Sequence, residues 1–279
     1  MSYNLGFIGG GNMSSSIFQG IIKKGNKGEF PTSKIWVSGP HLENLQHWKD
    51  CGANITNKNG EVYSNCDVVF LGVKPQFLTK AIDDCANTIP NNIATKKVLV
   101  VSILAGITIE HLHKVLSVLP GEKQVIRTLP NTPMSVGAGA CLYSPDSTVS
   151  EQQCAELQNL LSGCGICERV PEHYLSSLGS LTGCGPAFMY IAIEALADAV
   201  VKQGAPRAQA IRLAAQMVMG SGKMVLESNK HPGLLKDEVC SPGGSTIAGV
   251  AALEDGKFRA TLISAMEAAT HRTLEMGKK

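Results

Sequence analysis

Leu5 to Ser14 reads Leu-Gly-Phe-Ile-Gly-Gly-Gly-Asn-Met-Ser, and it narrows the folds open to this chain more than any other stretch. An apolar run (Tyr3, Leu5, Phe7, Ile8) breaks into three glycines and resumes after Asn12 as an amphipathic helical pattern. The pattern predicts strand, turn and helix. Gly9 would make the tight turn and Gly11 leave bare backbone for a pyrophosphate, while the amides opening the helix point at the anion with the helix dipole behind them. Ser14 stands in the place of the fingerprint's third glycine, a departure small enough to pack on the strand. A Gly-rich turn without a ligand would carry the same signature. The strand-then-helix order, and the alternation that continues behind it, favour a dinucleotide.

That alternation can be followed down the chain. A first helix over 13–24 is expected, then a strand over 34–38 that ends in Ser38, Gly39, Pro40 and His41. A free ribose 2′-hydroxyl is usually held at this point by Asp or Glu. The missing carboxylate favours NADPH over NADH, although a plain turn leading into a helix over 42–50 reads almost as well. A short strand near 53–56 precedes the continuous apolar run 67–73, which suits a strand covered on both faces. Lys74 follows at its exit, either solvated or in contact with a phosphate. A helix over 76–88, a strand over 97–103 that exits through Ala105, and a helix begun by Thr108 as N-cap come next. The strand over 124–128 must turn at Pro130 and Pro133, which would set Asn131 and Thr132 near a nicotinamide or simply make a rigid corner. A strand over 138–144, a helix over 151–161 and a strand over 166–170 complete an α/β domain.

After Glu172 the strands give way to helical periodicity over 186–203, 206–227, 232–239, 245–253 and 257–277. Pro186 and Pro206 read as first-turn prolines, and Gly204 as a helix stop. The expected architecture is a Rossmann-type dinucleotide-binding sheet domain over 1–170, followed by an all-α domain over 171–279. The helices are rich in alanine, among them Ala187, Ala192, Ala195, Ala208 and Ala214. Such small-residue faces permit close helix approach and expose more apolar surface than one small bundle hides. A homodimer through the helical half is expected, with assembly into larger oligomers left open.

Charge and cysteine content narrow the function. The 25 basic and 23 acidic residues are scattered, giving a net charge of +2, so nucleic-acid and membrane-surface roles lack electrostatic support. Apolar stretches read as too short for a bilayer span, and a strand beginning by residue 3 leaves no room for a targeting peptide, so a cytoplasmic protein is expected. Nine cysteines at irregular spacing suggest reduced core residues, and no group has metal-ligand spacing. Cys164 and Cys167 have redox spacing inside what reads as an ordinary strand.

One loop stands apart. Ser241-Pro242-Gly243-Gly244 forms a turn and Ser245-Thr246 opens a helix, converging free amides and two hydroxyls into a cup for a carboxylate. A helix start capped by its own serine is the plainer alternative. With this loop the chain resembles the pyrroline-5-carboxylate reductases, which make proline by reducing a cyclic imine with NAD(P)H. The likeness also rests on residues 7–13, 73–75, 127–133 and 182–187, and most specifically on 241–253. It implies cofactor contacts at Gly9, Gly10, Gly11, Asn12, Met13, Ser38, Asn59, Val73, Lys74, Pro75 and Ala105. It implies substrate contacts at Glu172, Gly244, Ser245 and Thr246. Cys184 stands where the family often has serine or alanine. Thr246 is the candidate donor to the imine nitrogen, in the last step of proline biosynthesis. A β-hydroxyacid dehydrogenase would carry a catalytic lysine on the first long helix, and residues 175–201 contain none. A non-catalytic NADPH sensor would share the fold without turnover.

Overall fold

The computed structural model describes residues 3–25, 30–90 and 96–276. Eight strands form one sheet: β1 (Leu5–Ile8), β2 (Ile35–Ser38), β3 (Asn54–Thr56), β4 (Val68–Leu71), β5 (Lys97–Ser102), β6 (Glu122–Leu129), β7 (Gly139–Pro145) and β8 (Gly165–Arg169). Their order is β3-β2-β1-β4-β5-β6-β7-β8. Only the β6–β7 pair is antiparallel. The chain therefore leaves β1 on one side towards β2 and β3, then crosses to β4 on the other. That reversal leaves a crevice at the carboxyl ends of β1 and β4, the place where open α/β sheets receive ligands.

Both faces of the sheet are covered, as the continuous apolar runs predict. Phe7 packs with Ile17 and Phe18 of α1 (Asn12–Gly25), Trp48 of α2 (Gln46–Asp50) and Leu157 of α6 (Glu151–Leu161). Its ring centroid lies 5.0 Å from those of Trp48 and Phe70. The next residue, Ile8, joins the opposite core with Val62 of α3 (Asn59–Asn65), Ile82 of α4 (Leu78–Thr88) and Leu112 of α5 (Ile109–Leu116). Burying one such side chain is worth about 1.5–3 kcal/mol, so a register slip of one residue would exchange two full cores. Caps set the helix starts. Thr108 accepts from the His111 amide at 3.2 Å, and Ser150 forms a capping box with Gln153.

Cys66, Cys85, Cys141, Cys154 and Cys164 are buried among these side chains. Burial, reinforced by Cys167, pushes the Cys164 thiol up to about 12. That favours a packed thiol over the reactive thiolate that redox spacing would need.

The helical elements are α7 (Leu175–Val201), α8 (Arg207–Ser228), α9 (Pro232–Val239), α10 (Ser245–Asp255) and α11 (Phe258–Met276). The chain divides into two compact units, one running to Gly183 and rejoined by the chain from Thr270 onward, the other Cys184–Ala269. Two expectations need correction. Pro186 does not open a helix; it lies inside the 27-residue α7, which begins eleven residues earlier. Because the helix continues through the proline, Glu172–Val201 is the one segment among the described residues long and apolar enough to cross a bilayer by length and composition. Pro206 is the N-cap of α8, one position before the first turn. Gly204 does stop α7, with φ at 100°. The expected end of the last helix, Gly277, lies outside the described residues.

Candidate active site

The crevice is built by glycines with different reasons for being glycine. Gly9 leaves β1 at φ 99°, a conformation that side chains resist, and donates to the Ser38 carbonyl at 3.0 Å. A Cβ on it would lie 2.8 Å from the Gly72 carbonyl carbon. Gly72 closes the same contact from the β4 side, where a Cβ would fall 2.0 Å from Ser14 Oγ. A Cβ on Gly10 would strike Leu45 Cδ2 at 2.3 Å. Gly11 differs: a Cβ there meets nothing within 4 Å. Three glycines thus serve the protein's own packing, and Gly11 alone faces open space at the start of α1.

That space is a cleft of about 560 Å³. Of the expected cofactor residues, Gly9, Gly10, Gly11, Ser38, Asn59, Val73 and Lys74 line it. Asn12, Met13, Pro75 and Ala105 lie outside its lining; Met13 packs against the core, and Ala105 is exposed in the turn after β5. Ser38, fully buried, donates to Asn59 Oδ1 at 2.6 Å. Asn59 is fixed in turn by the Ala81 carbonyl (3.0 Å from Nδ2) and by Asp84 Oδ2 (3.2 Å from its amide). The Ser38 oxygen is left as an acceptor, and the Asn59 amide group is tethered rather than free to swing.

Sequence reasoning passed over Phe77, Lys80, Ala81 and Asp84, which also line the cleft. Their i, i+3, i+4, i+7 spacing at the head of α4 is one helix face, and it was readable once β4 was known to end beside β1. Asp84 brings a carboxylate into a cleft where the end of β2 has none. Lys74 and Lys80 line the same cleft, so cationic side chains outnumber it.

The other candidate residues fall elsewhere. Glu172 Oε1 accepts from Arg127 Nη1 at 3.0 Å and from the Ile109 amide at 2.8 Å. Asn131 does not turn its amide towards a ligand: Oδ1 accepts from the Ala140 amide at 2.8 Å, and Nδ2 donates to the Thr182 carbonyl at 3.0 Å. In the helical unit, Gly243 adopts φ 67° and Gly244 donates to the Ser241 carbonyl at 3.0 Å. Gly244, not Ser245, is the N-cap of α10, with no side-chain cap. The first-turn amides of α10 therefore lack the side-chain acceptor that often satisfies them. The half-buried Thr246 hydroxyl has no partner among the described residues.

A doubly wound sheet with a Gly-lined crevice at its switch point, followed by a helical region, defines a dinucleotide-binding α/β protein of the oxidoreductase type. Residues 4–106 match a family model described as "NADP oxidoreductase coenzyme F420-dependent", and residues 172–276 match "Pyrroline-5-carboxylate reductase dimerisation". The chain is 42% identical to pyrroline-5-carboxylate reductase 3 of Danio rerio, covering 99% of this chain and 92% of that protein. It is 38% identical to pyrroline-5-carboxylate reductase of Escherichia coli K12, with 100% of each covered. The crystal structure of Plasmodium falciparum pyrroline carboxylate reductase with NADP bound superposes with a TM-score of 0.84 at 30% identity, over 99% of this chain and 98% of that one. The chain belongs to the pyrroline-5-carboxylate reductase family.

The two kinds of glycine predict opposite failures. Gly11→Ala should unfold in urea as the wild type does yet bind a dinucleotide at least ten-fold more weakly, because its methyl group enters only the cleft; about 1.4 kcal/mol of lost contact gives that factor. Gly9→Ala should destabilise the fold itself by about 1–3 kcal/mol. Urea midpoints and fluorescence titration with NADPH, measured on both variants, check the pair.

Proposed function

We propose that this protein reduces Δ1-pyrroline-5-carboxylate to L-proline with NADPH, the last step of proline biosynthesis. The observation that carries this reading is the head of α10, where an uncommitted Thr246 hydroxyl stands beside first-turn amides with no side-chain cap. A substrate carboxylate suits the amides and the positive end of the helix dipole. The hydroxyl suits the ring nitrogen.

The cleft in the sheet domain fits a dinucleotide: Gly11 leaves open space, and Ser38, Asn59, Val73 and Lys74 would line the bound molecule. When bound, a reduced nicotinamide supplies the hydride for the imine carbon. The protein's share is orientation. A protonated imine near neutral pH is already electrophilic and its N–H is the donor, so the Thr246 hydroxyl oxygen needs only to accept that hydrogen bond and hold the ring in place. NADPH is favoured by the absence of a carboxylate at the end of β2 and by Lys74 and Lys80 around the cleft.

The assembly read here is a homodimer formed through the helical domain, in the cytoplasm. Tyr190, Ile191, Leu213, Met219, Leu226 and Ile263 are each more than half exposed in the single chain. An apolar surface of this extent calls for a covering partner. A second copy supplies one, and the family match over 172–276 carries the same implication.

Three outcomes test this reading. Spectrophotometry should show NADPH oxidation that depends on the cyclic imine, with kcat/KM higher for NADPH than for NADH; cofactor binding without turnover would favour a sensor. Light scattering on dilute, detergent-free protein should give at least twice the chain mass, and a stable active monomer would refute the dimer. Thr246→Ala should lower kcat about ten- to a hundred-fold, since a hydrogen bond to a charged partner is worth about 1.5–3 kcal/mol. Thr246→Ser should keep most activity, and an unchanged kcat in the alanine variant would remove Thr246 from the mechanism.

A further inference from the structure

Strand β6 leaves the sheet through Arg127, Leu129 and Asn131, alternate residues at and just beyond its end. Each meets the chain that begins at Glu172. Arg127, whose side chain is 5% exposed, donates to Glu172 Oε1 at 3.0 Å. A Cβ on Gly179 would lie 2.3 Å from Leu129 Cδ1, so α7 rests on Leu129 with no room for a side chain. Asn131 Nδ2 donates to the Thr182 carbonyl at 3.0 Å, while the Ala140 amide holds the other end of its side chain.

An uninterrupted α-helix would leave the third contact without its acceptor's full attention. The carbonyl of residue 182 ordinarily accepts from the N–H of residue 186. Residue 186 is proline, placed inside α7, and has no N–H to give. The Thr182 carbonyl is thereby opened, and an unpaired backbone carbonyl away from water is costly. Asn131, only 8% exposed, fills that vacancy from the sheet.

We propose that Asn131 is a positioning residue for imine reduction and that Pro186 creates its partner. The proposal rests on the reductase reading above. Pro186 breaks one helical hydrogen bond, Asn131 takes the freed carbonyl, and the Glu172–Gly183 stretch, which leads into α7 and includes its first turns, is pinned to the carboxyl end of β6 by three side chains. This helix is the covalent lead into the region that carries Gly244, Ser245 and Thr246. A reaction that depends on orientation is sensitive to small displacements. Asn131 lies outside the lining of the dinucleotide cleft, so its effect belongs in kcat and not in cofactor affinity.

Asn131→Asp keeps an acceptor for the Ala140 amide and removes the donor to Thr182. It should lower kcat about ten-fold and leave the NADPH dissociation constant, read by fluorescence titration, unchanged. In a Pro186→Ala background the helix supplies its own N–H to the Thr182 carbonyl, and the same substitution should lower kcat much less. Equal losses in the two backgrounds, or an unchanged kcat with Pro186 present, overturn the proposal. Loss of NADPH affinity in step with kcat overturns it too, by placing the effect in the cofactor cleft. Because a buried aspartate can impair folding, Gly179→Ala provides a second reading: displacing α7 from Leu129 should lower kcat with NADPH affinity intact, and a wild-type kcat would count against the pinning. Wild-type protein that binds NADPH without imine-dependent oxidation refutes the reductase reading and the positioning role with it. An active wild type with an indifferent Asn131→Asp variant refutes the positioning role alone.

Discussion

The backbone contact between Gly9 and Gly72 is the constraint on which the rest of the sheet domain depends. Two neighbouring parallel strands end side by side, and their exits must diverge, one into α1 and the other across to α4. Gly72 donates to the Ile8 carbonyl at 2.8 Å, while a Cβ on either glycine would meet the other's backbone within 3 Å. With that approach made, the first turn of α1 comes down over β1, and Ser14 is carried into complete burial. The crevice between the diverging exits follows from the same geometry. Ser14 also shows what the closeness costs: its hydroxyl is buried without a partner among the described residues, a burden that alanine or glycine at this position would not carry.

Much of this was legible in the sequence because it rests on local, periodic signals. Uninterrupted apolar runs marked β4 and β5, Thr108 marked the start of α5, and the Gly9–Gly11 turn marked the crevice. What stayed illegible depends on contacts remote in sequence. Asp84 enters the cleft only because β4 lies beside β1, with Ile8 paired to Leu71, 63 residues further along the chain. Asn131 looked like a ligand contact because it sits in a strand-exit loop, yet its partners are the Ala140 amide and a helical carbonyl. Pro186 was misread for a related reason. Local rules place proline in the first turn, and only a side chain from another element makes an interior proline tolerable here.

The helical half shows the opposite balance. Its periodicity located α8, α9 and α10 closely, but periodicity does not say what an apolar face packs against. Leu226 is 75% exposed and Ile191 66% exposed in the isolated chain. The continuous α7 adds an apolar length that would suit a bilayer by composition alone. Composition ranks neither occupant above the other. Residues 172–276 match a family model whose description names dimerisation.

The distribution of perturbed ionisable groups bears on how such a protein could do chemistry. Burial pushes the Cys85 and Cys164 thiols and the Tyr3 hydroxyl up to about 12, and raises Cys66 and Tyr63 as well. Cys85, Cys164, Cys66 and Tyr63 belong to the cores, and Tyr3 packs against one of them; these shifts record packing. Residues 241–249, by contrast, contain no ionisable side chain. A loop of this kind cannot deliver a proton by titrating. It can hold an anion with amides and direct one hydroxyl, which suffices where the substrate's own nitrogen carries the proton. A rate that depends on orientation gives a role to side chains that touch no substrate, and the contacts of Arg127, Leu129 and Asn131 with the Glu172–Gly183 stretch are of that kind.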